Sequence, residues 1–361
     1  GLDGIFAPIA CDQGISSVAP GANVTQILYE QQDTDSVAAF AQVEWQFAED
    51  WTLTAGLRWT REEKDFIAGQ SYLSNEERQR LRNFPGYSDL DNEWTETSPK
   101  LGLTYQLTDD SIVYGSYSEG FHSGGFFGVN QNLRDFERDQ YDPEFAENWE
   151  IGYKSMHMDN RLRLNLTAFY NDFTDKQESF VALDPDTKTV ASKFDNAGSV
   201  IYKGFEMEAE YLVNENLKVF LNYGYLDAEY DEFETDINAT DGIDLIEDAT
   251  HLTPRNAPES TLGIGGTFSY PVGNGDLEIY AKFARVGDIE TSLTNAPLGR
   301  IDERDDVSTS IGYYTEQWSV VAFGRNLADD EFEAFTPIAT LFAVGSINRG
   351  RTFGLELAFE F

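Results

Sequence analysis

Apolar and polar residues alternate along most of this chain. From Val37 to Phe47 the odd positions Val37, Ala39, Ala41, Val43, Trp45 and Phe47 are apolar, and Gln42, Glu44 and Gln46 lie between them. A period of two sends successive side chains to opposite faces of an extended strand, so the segment predicts a strand with one greasy face. After the polar break Ala48-Glu49-Asp50, Trp51, Leu53, Ala55, Leu57 and Trp59 share one face and Thr52, Thr54, Arg58 and Thr60 the other. The two segments predict a hairpin.

The same grammar recurs. Pro99 to Leu107 is followed by the turn Thr108-Asp109-Asp110 and by Ile112 to Ser118; Trp149 to Tyr153 turns near Asp159 into Leu162 to Tyr170. Phe205 to Tyr211 and Leu217 to Tyr225 flank a turn at Val213 to Asn216, and Leu262 to Tyr270 and Leu277 to Phe283 flank Pro271 to Gly275. The final strands are expected over Arg304 to Tyr314, Trp318 to Asn326 and Arg351 to Phe361, about thirteen strands in all. A further hairpin, turned at Asp184-Pro185-Asp186, falls between Asp172 and Val200.

Strand length and connection length separate this pattern from a soluble β-sandwich. Many alternations persist for roughly 11 residues, enough to cross a bilayer at a tilt. Tight turns alternate with long connections, at 62–93, 119–145, 227–257, 287–303 and 328–348, the Asp184 turn being the exception. Outer-membrane barrels sort their connections this way, with short periplasmic turns and long extracellular loops. The fold expected is all-β, a portion of a transmembrane antiparallel up-and-down barrel. Backbone groups find no partner in lipid, so strands cross only when paired all round. Outward aromatics near strand ends, such as Trp51, Trp59, Tyr105, Trp149, Tyr170 and Trp318, fit interfacial girdles.

Composition removes other classes. The 361 residues carry a formal charge of -39, which repels a phosphate backbone, so no nucleic-acid partner is expected. Aromatics make up 14% and charged residues 25%, and the mean hydropathy is negative. No apolar run approaches the roughly 18 to 20 residues of a spanning helix. The single Cys11 and the three histidines form no metal or redox set, and no phosphate-loop motif or nucleophile–base pair is evident. No catalysis, cofactor or metal site is expected. Asp236, Asn238, Thr240 and Glu247 fall at EF-hand spacing, but Asp241 stands where the loop requires Gly, so a solvated acidic loop is the preferred reading. Cys11 is expected in an extracellular loop that leads into the first strand.

Several blocks, in order, are similar to one family. The stretch Val113-Tyr-Gly-Ser-Tyr-Ser-Glu-Gly-Phe-His-Ser-Gly-Gly-Phe126, then Tyr141 to Lys154, Phe169-Tyr-Asn-Asp172, Asn196-Ala-Gly198 with Gly204-Phe-Glu206, Gly324-Arg-Asn-Leu327 and the closing Gly354 to Phe361 resemble the barrel of TonB-dependent outer-membrane receptors. The resemblance covers most of Val37 to Phe361, with 1–36 as loop and lead-in. It implies about thirteen strands of a barrel of about twenty-two. It also implies a Gram-negative outer-membrane location among lipid and lipopolysaccharide, a monomer, and import of a ferric siderophore or another scarce solute. Energy would come from TonB with ExbB/ExbD through an N-terminal plug and TonB box not visible here. A passive porin and a soluble adhesin-like β-protein are the alternatives.

Ligand contacts are expected on the elaborated rim. Phe121, His122, Phe126 and Phe127 lie in a Gly-rich stretch where rings stack on a descending ligand or pack against neighbouring loops. Arg300, Arg304 and Arg349, with Arg325 and Arg351, attract an anionic ligand or pair with the surplus carboxylates.

Overall fold

The computed structural model describes residues 24–74, 87–127, 140–183, 190–235, 246–331, 333–335, 338–339, 342–343 and 346–360. They build a 14-stranded sheet. Thirteen of its strands follow the chain order: β1 Val24–Ala48, β2 Trp51–Ser74, β3 Tyr87–Thr108, β4 Ser111–His122, β5 Glu144–His157, β6 Leu162–Thr174, β7 Gly198–Asn214, β8 Leu217–Thr235, β9 Ser260–Val272, β10 Gly275–Val286, β11 Arg304–Tyr314, β12 Trp318–Arg325 and β13 Thr352–Phe359. The fourteenth, Glu247–Asp248, lies beside the end of β8 off this path. Every pairing is between chain neighbours and antiparallel, the up-and-down arrangement expected. Among the described residues no pairing joins β1 to β13, so the sheet is an open arc of a barrel.

The tight turns are held by local chemistry. The Asn214 side chain accepts from the backbone N–H of Asn216 and Leu217, and Thr315 Oγ1 accepts from Gln317 and Trp318. At the β9–β10 turn Gly273 takes φ 65°, a conformation glycine adopts without steric penalty.

Facing follows from register. Trp51, Leu53 and Leu57 pair with Tyr105, Leu103 and Pro99, and the same face continues through Ile151, Leu166, Met207, Leu221, Ile264, Ile279, Ile311, Leu355 and Leu357. Glu44, Arg58, Asn165, Glu206, Glu208, Asn222 and Glu356 occupy the other face, and Asn165 Nδ2 donates to Glu208 Oε2 at 3.1 Å within it. The apolar face is bare: Leu57 is 54%, Ile151 59% and Leu355 66% exposed. A soluble monomer rarely leaves so continuous an apolar patch open to water, whereas lipid covers it. Aromatics bracket the band. Near the short turns Trp51 packs on Tyr105 and Tyr313 on Trp318, with ring centroids 4.6 and 5.5 Å apart. Trp59, Tyr117, Trp149 and Tyr170 lie toward the long connections, and Tyr117 and Trp149 are 4.4 Å apart. Among the described residues no helix is long and apolar enough to cross a membrane.

Two expectations are corrected. The hairpin near Asp184 does not interrupt the sorting of connections. Its arms, Gln177–Leu183 and Val190–Asn196, pair with each other in a separate two-stranded sheet, so 175–197 is one more long loop on the elaborated rim. The first strand starts at Val24, not Val37, and its register with β2 is unbroken up to Gln46. Residues 24–36 rise past the lipid band, where neither face needs to be apolar and the alternation fades. Cys11 and the loop residues Asp236, Asn238, Thr240 and Asp241 lie outside the described residues.

A loop collar at the extracellular mouth

Among the described residues the lumen face carries no buried apolar cluster at membrane depth; the two buried clusters sit above it. Phe66 of β2, Trp94 of β3 and Phe126 form one, and Phe66 and Phe126 stack with centroids 5.5 Å apart. Val200, Tyr230, Phe233, Ala249 and Leu293 form the other, drawn from β7, β8 and two loops. Each joins strand tops to loops, so burial of apolar surface fixes the loops over the mouth.

Charged groups complete the attachment. Lys64 shares the inward face of β2 with Glu62, Phe66 and Thr60 by strand alternation. Its side chain is 10% exposed, and Nζ donates to Ser123 Oγ and to the Gly124 carbonyl, both at 2.7 Å, beside Glu62 Oε1 at 3.1 Å. The Ser123 hydroxyl in turn donates to Glu62, and Lys64 Nζ lies 5.4 Å from the centre of the Trp94 ring. Burial opposes ionisation of Glu62. Hydrogen bonds from Ser123 and Lys64, with the charge of Lys64, outweigh it and hold the carboxyl below its ordinary value.

From Ser123 the contacts run round the rim. Gln177, buried at the base of the hairpin, donates Nε2 to the carbonyls of Ser123 at 3.1 Å and Asp142 at 2.9 Å, and its backbone N–H donates to Glu144. Its neighbour Glu178 is buried and is met by Arg255 from the β8–β9 loop and by Lys176 at 3.6 Å. That loop is tied to the β10–β11 loop: Thr253 N–H donates to Asn295 Oδ1 at 2.7 Å, Asn295 Nδ2 returns to the Thr253 carbonyl at 2.9 Å, and Asn256 N–H reaches the Glu290 carbonyl. The β12–β13 loop joins through Asp330, which accepts from the Asp305 N–H at 2.8 Å. The described loops therefore form a continuous collar from β2 to β13, with the buried Glu178 carboxylate and the half-buried Arg255 guanidinium in its middle.

The seven residues expected at the rim do not form one cluster. The register sets Phe121 opposite Phe145 on the outward face and His122, which is exposed, opposite Glu144 on the inward face. Phe126 is buried in the Phe66 cluster, and Phe127 stacks on Phe194 of the hairpin at 6.0 Å. Arg300 pairs with Asp288 and Glu290. Arg304 sits half-buried on the inward face opposite Val286, and burial lowers its pKa from the usual guanidinium value. Arg349 is exposed, its carbonyl accepting from Asn326. Reading the sequence did not single out Lys64, Gln177, Glu178, Arg255 or Tyr230. Only the shared face of Glu62 and Lys64 was available as a signal, and charged pairs at that spacing are common on strands.

Residues 11–327 match the family model described as TonB dependent receptor-like, beta-barrel. The chain belongs to the TonB-dependent receptors. Among curated relatives it is 29% identical over 184 residues to the probable TonB-dependent siderophore receptor PiuA of Acinetobacter baumannii, a match covering 50% of this chain and 22% of that receptor. It is 26% identical over 200 residues to the metal-pseudopaline receptor CntO of Pseudomonas aeruginosa, covering 55% of this chain and 25% of that one. The ferric yersiniabactin uptake receptor FyuA from Yersinia pestis superposes with a TM-score of 0.73 at 19% identity, over 94% of this chain and 47% of that structure. This last likeness carries the fold: the receptor's arc coincides with about half of a receptor of this class. The relatives are transport receptors and not enzymes, and the family is one of the outer membrane.

Proposed function

We propose that this chain is the greater part of the barrel of an outer-membrane receptor that imports a ferric siderophore, with energy relayed by TonB and ExbB/ExbD through a plug domain. The observation that carries the reading is the collar: loops knit by half-buried ion pairs above a lipid-covered barrel make a defined mouth, where a passive pore needs only an opening. The names of the relatives, a siderophore receptor and a metal-pseudopaline receptor, support a metal chelate as cargo. We place ligand contact at the mouth, with His122 and Arg304 on the lumen side and Phe127 on the hairpin; Phe121, Phe126, Arg300 and Arg349 serve the surrounding loops. The receptor acts as a monomer in a lipopolysaccharide-containing membrane.

Growth of a deletion strain under iron limitation tests this. Loss of growth on one ferric chelate, restored by the intact gene only when TonB is present, is the expected result. Unchanged growth on every chelate, or uptake indifferent to TonB, overturns it and returns the porin reading.

A further inference from the structure

On the inward face of the barrel one contact recurs at selected strand pairs. Tyr114 of β4 is register-paired with Gly152 of β5, Phe169 of β6 with Gly204 of β7, Phe220 of β8 with Gly265 of β9, and Phe323 of β12 with Gly354 of β13. In each pair the ring lies against its glycine. A Cβ added at Gly152 would collide with the Tyr114 ring, and one at Gly354 with the Phe323 ring; at Gly204 and Gly265 it would lie 3.0 Å from Phe169 Cζ and 2.7 Å from Phe220 Cζ. Tyr114 is held further: its Oη donates to Glu150 at 2.6 Å, and Lys154 Nζ lies 5.2 Å from the ring centre.

The placement of these pairs is selective. β4–β5, β6–β7, β8–β9 and β12–β13 are all joined by connections of more than twenty residues. Within the lipid band, among the described residues, no glycine is register-paired with an aromatic across any of the six tight turns. A turn of two to four residues fixes the register of the strands it joins, whereas a long loop leaves register open. The facing pattern closes only part of that gap. A slip of one residue sends every apolar side chain to the lumen, and lipid forbids it. A slip of two preserves facing, and lipid cannot detect it. It would set Tyr114 opposite Glu150 or Lys154, and Phe323 opposite Thr352 or Glu356, where a side chain fills the space that glycine leaves. The two other strand pairs with long connections have other pins: β2–β3 is laddered without a break from Trp51 to Gly69, and Arg285 forks onto its register partner Asp305 at 2.7 and 2.8 Å.

We propose that these ring-on-glycine pairs set strand register as the barrel assembles, at the junctions where the loop is too long to do so. Only glycine lets the ring settle flush on the neighbouring backbone, so the contact forms in the native register and rejects a two-residue slip. β8–β9 is the least selective of the four, because Gly263 stands two places from Gly265. The device acts on assembly and is indifferent to the cargo.

Disulfide trapping in the full receptor, with its native cysteines replaced by serine, tests this during refolding from urea into phosphatidylcholine vesicles. Ser118→Cys with Asn148→Cys reports the native β4–β5 register, and Ser118→Cys with Ala146→Cys the register slipped by two. The parent should trap the first pair and only a trace of the second. Tyr114→Leu keeps an apolar side chain but removes the ring, and should raise the slipped fraction about fivefold, the most that one cross-strand pair supplies. Gly152→Ala, which displaces the ring, should do the same. Tyr114→Phe keeps the ring and should match the parent, as should Gly102→Ala, whose Cβ meets Thr54 Cβ at 3.6 Å and no ring. An unchanged slipped fraction in Tyr114→Leu overturns the proposal even where folding slows, because the pair is then a stabilising contact alone. Should Tyr114→Leu fail to insert, Phe323→Leu carries the same test at β12–β13, with Val321→Cys and Ala358→Cys as the slipped reporter.

Discussion

Lys64 Nζ lies 2.7 Å from the hydroxyl of Ser123, 59 residues further along the chain, and this contact pins the Gly-rich loop to the top of β2. Replacing Lys64 by Met leaves the Glu62 carboxylate and the Ser123 hydroxyl without their cation in a half-buried setting. Removing one partner of a fully buried pair costs about 3 to 5 kcal/mol. Glu62 keeps 22% of its side-chain exposure, so a loosening of about 2 kcal/mol is expected here. Hydrogen exchange at 123–127 should accelerate correspondingly while the membrane strands stay protected; an unchanged loop would show that the Phe66–Trp94–Phe126 cluster suffices.

The same lock has a pH dependence of definite sign. Glu62 is held below the ordinary carboxylate pKa, so the folded form favours its charged state. The resulting stability is fully present above the ordinary carboxylate range and is lost as pH falls through the lowered value. Protease sensitivity of the 123–127 segment should be flat at neutral pH and rise only in acid below that range. A Glu62→Gln variant should lose this acid step; a step that survives the substitution would assign it to another carboxylate.

Glu178 is the collar's central carboxylate. Glu178→Ala would strand the half-buried Arg255 and Lys176 and unhitch the hairpin from the β8–β9 loop, at a cost of about 2 kcal/mol, below the figure for a fully buried pair because Arg255 keeps 28% of its side-chain exposure. Limited proteolysis on whole cells should then cut within the hairpin, and uptake should weaken through ligand affinity with the amount of receptor unchanged. Resistance equal to the wild type would make the pair dispensable.

Facing is tested by neighbours. Leu166 and Asn165 are adjacent on β6 but lie on opposite faces, paired with Met207 and Glu208. Leu166→Arg puts a charge into lipid, at about 2 to 4 kcal/mol near the midplane, whereas Asn165→Arg joins a face already bearing Glu208 and Glu206. Folded receptor in the outer membrane, measured by heat-modifiable mobility, should drop sharply for the first and little for the second. Equal losses would contradict the register.

That register was legible because lipid demands it: Leu164 and Leu166 must be apolar, Asn165 need not be, and a period of two is the trace. Above the lipid the demand lapses. Residues 24–36 include Glu30-Gln-Gln-Asp-Thr-Asp-Ser36, polar on both faces, so their strand was invisible although its pairing with β2 is continuous. The collar was opaque for another reason. Glu178 and Arg255 are 77 residues apart in loops without periodicity, and no local pattern says that they meet. Phe126 and Phe127 are neighbours of one residue type, yet one closes a buried cluster and the other stacks on the hairpin; only the path of the loop separates them. The Asp184 hairpin was recognised, but its pairing within itself, and not with the barrel, depended on contacts at its base.

The strands of this arc differ greatly in length. β1, β2 and β3 have 25, 24 and 22 residues, and β12 and β13 have 8 each. At about 3.3 Å per residue the first group extends roughly 70 to 80 Å along the strand, at least twice what a tilted crossing of about 9 to 11 residues uses, and the last about 26 Å, no more than one crossing. The strands themselves therefore reach far above the lipid on the flank of β1 to β3, whereas above β12 and β13 the chain continues as the long connection 326–351. On the flank of β1 to β3, paired backbone and not loop alone makes the wall above the lipid, so that part of the mouth is held by ladder hydrogen bonds.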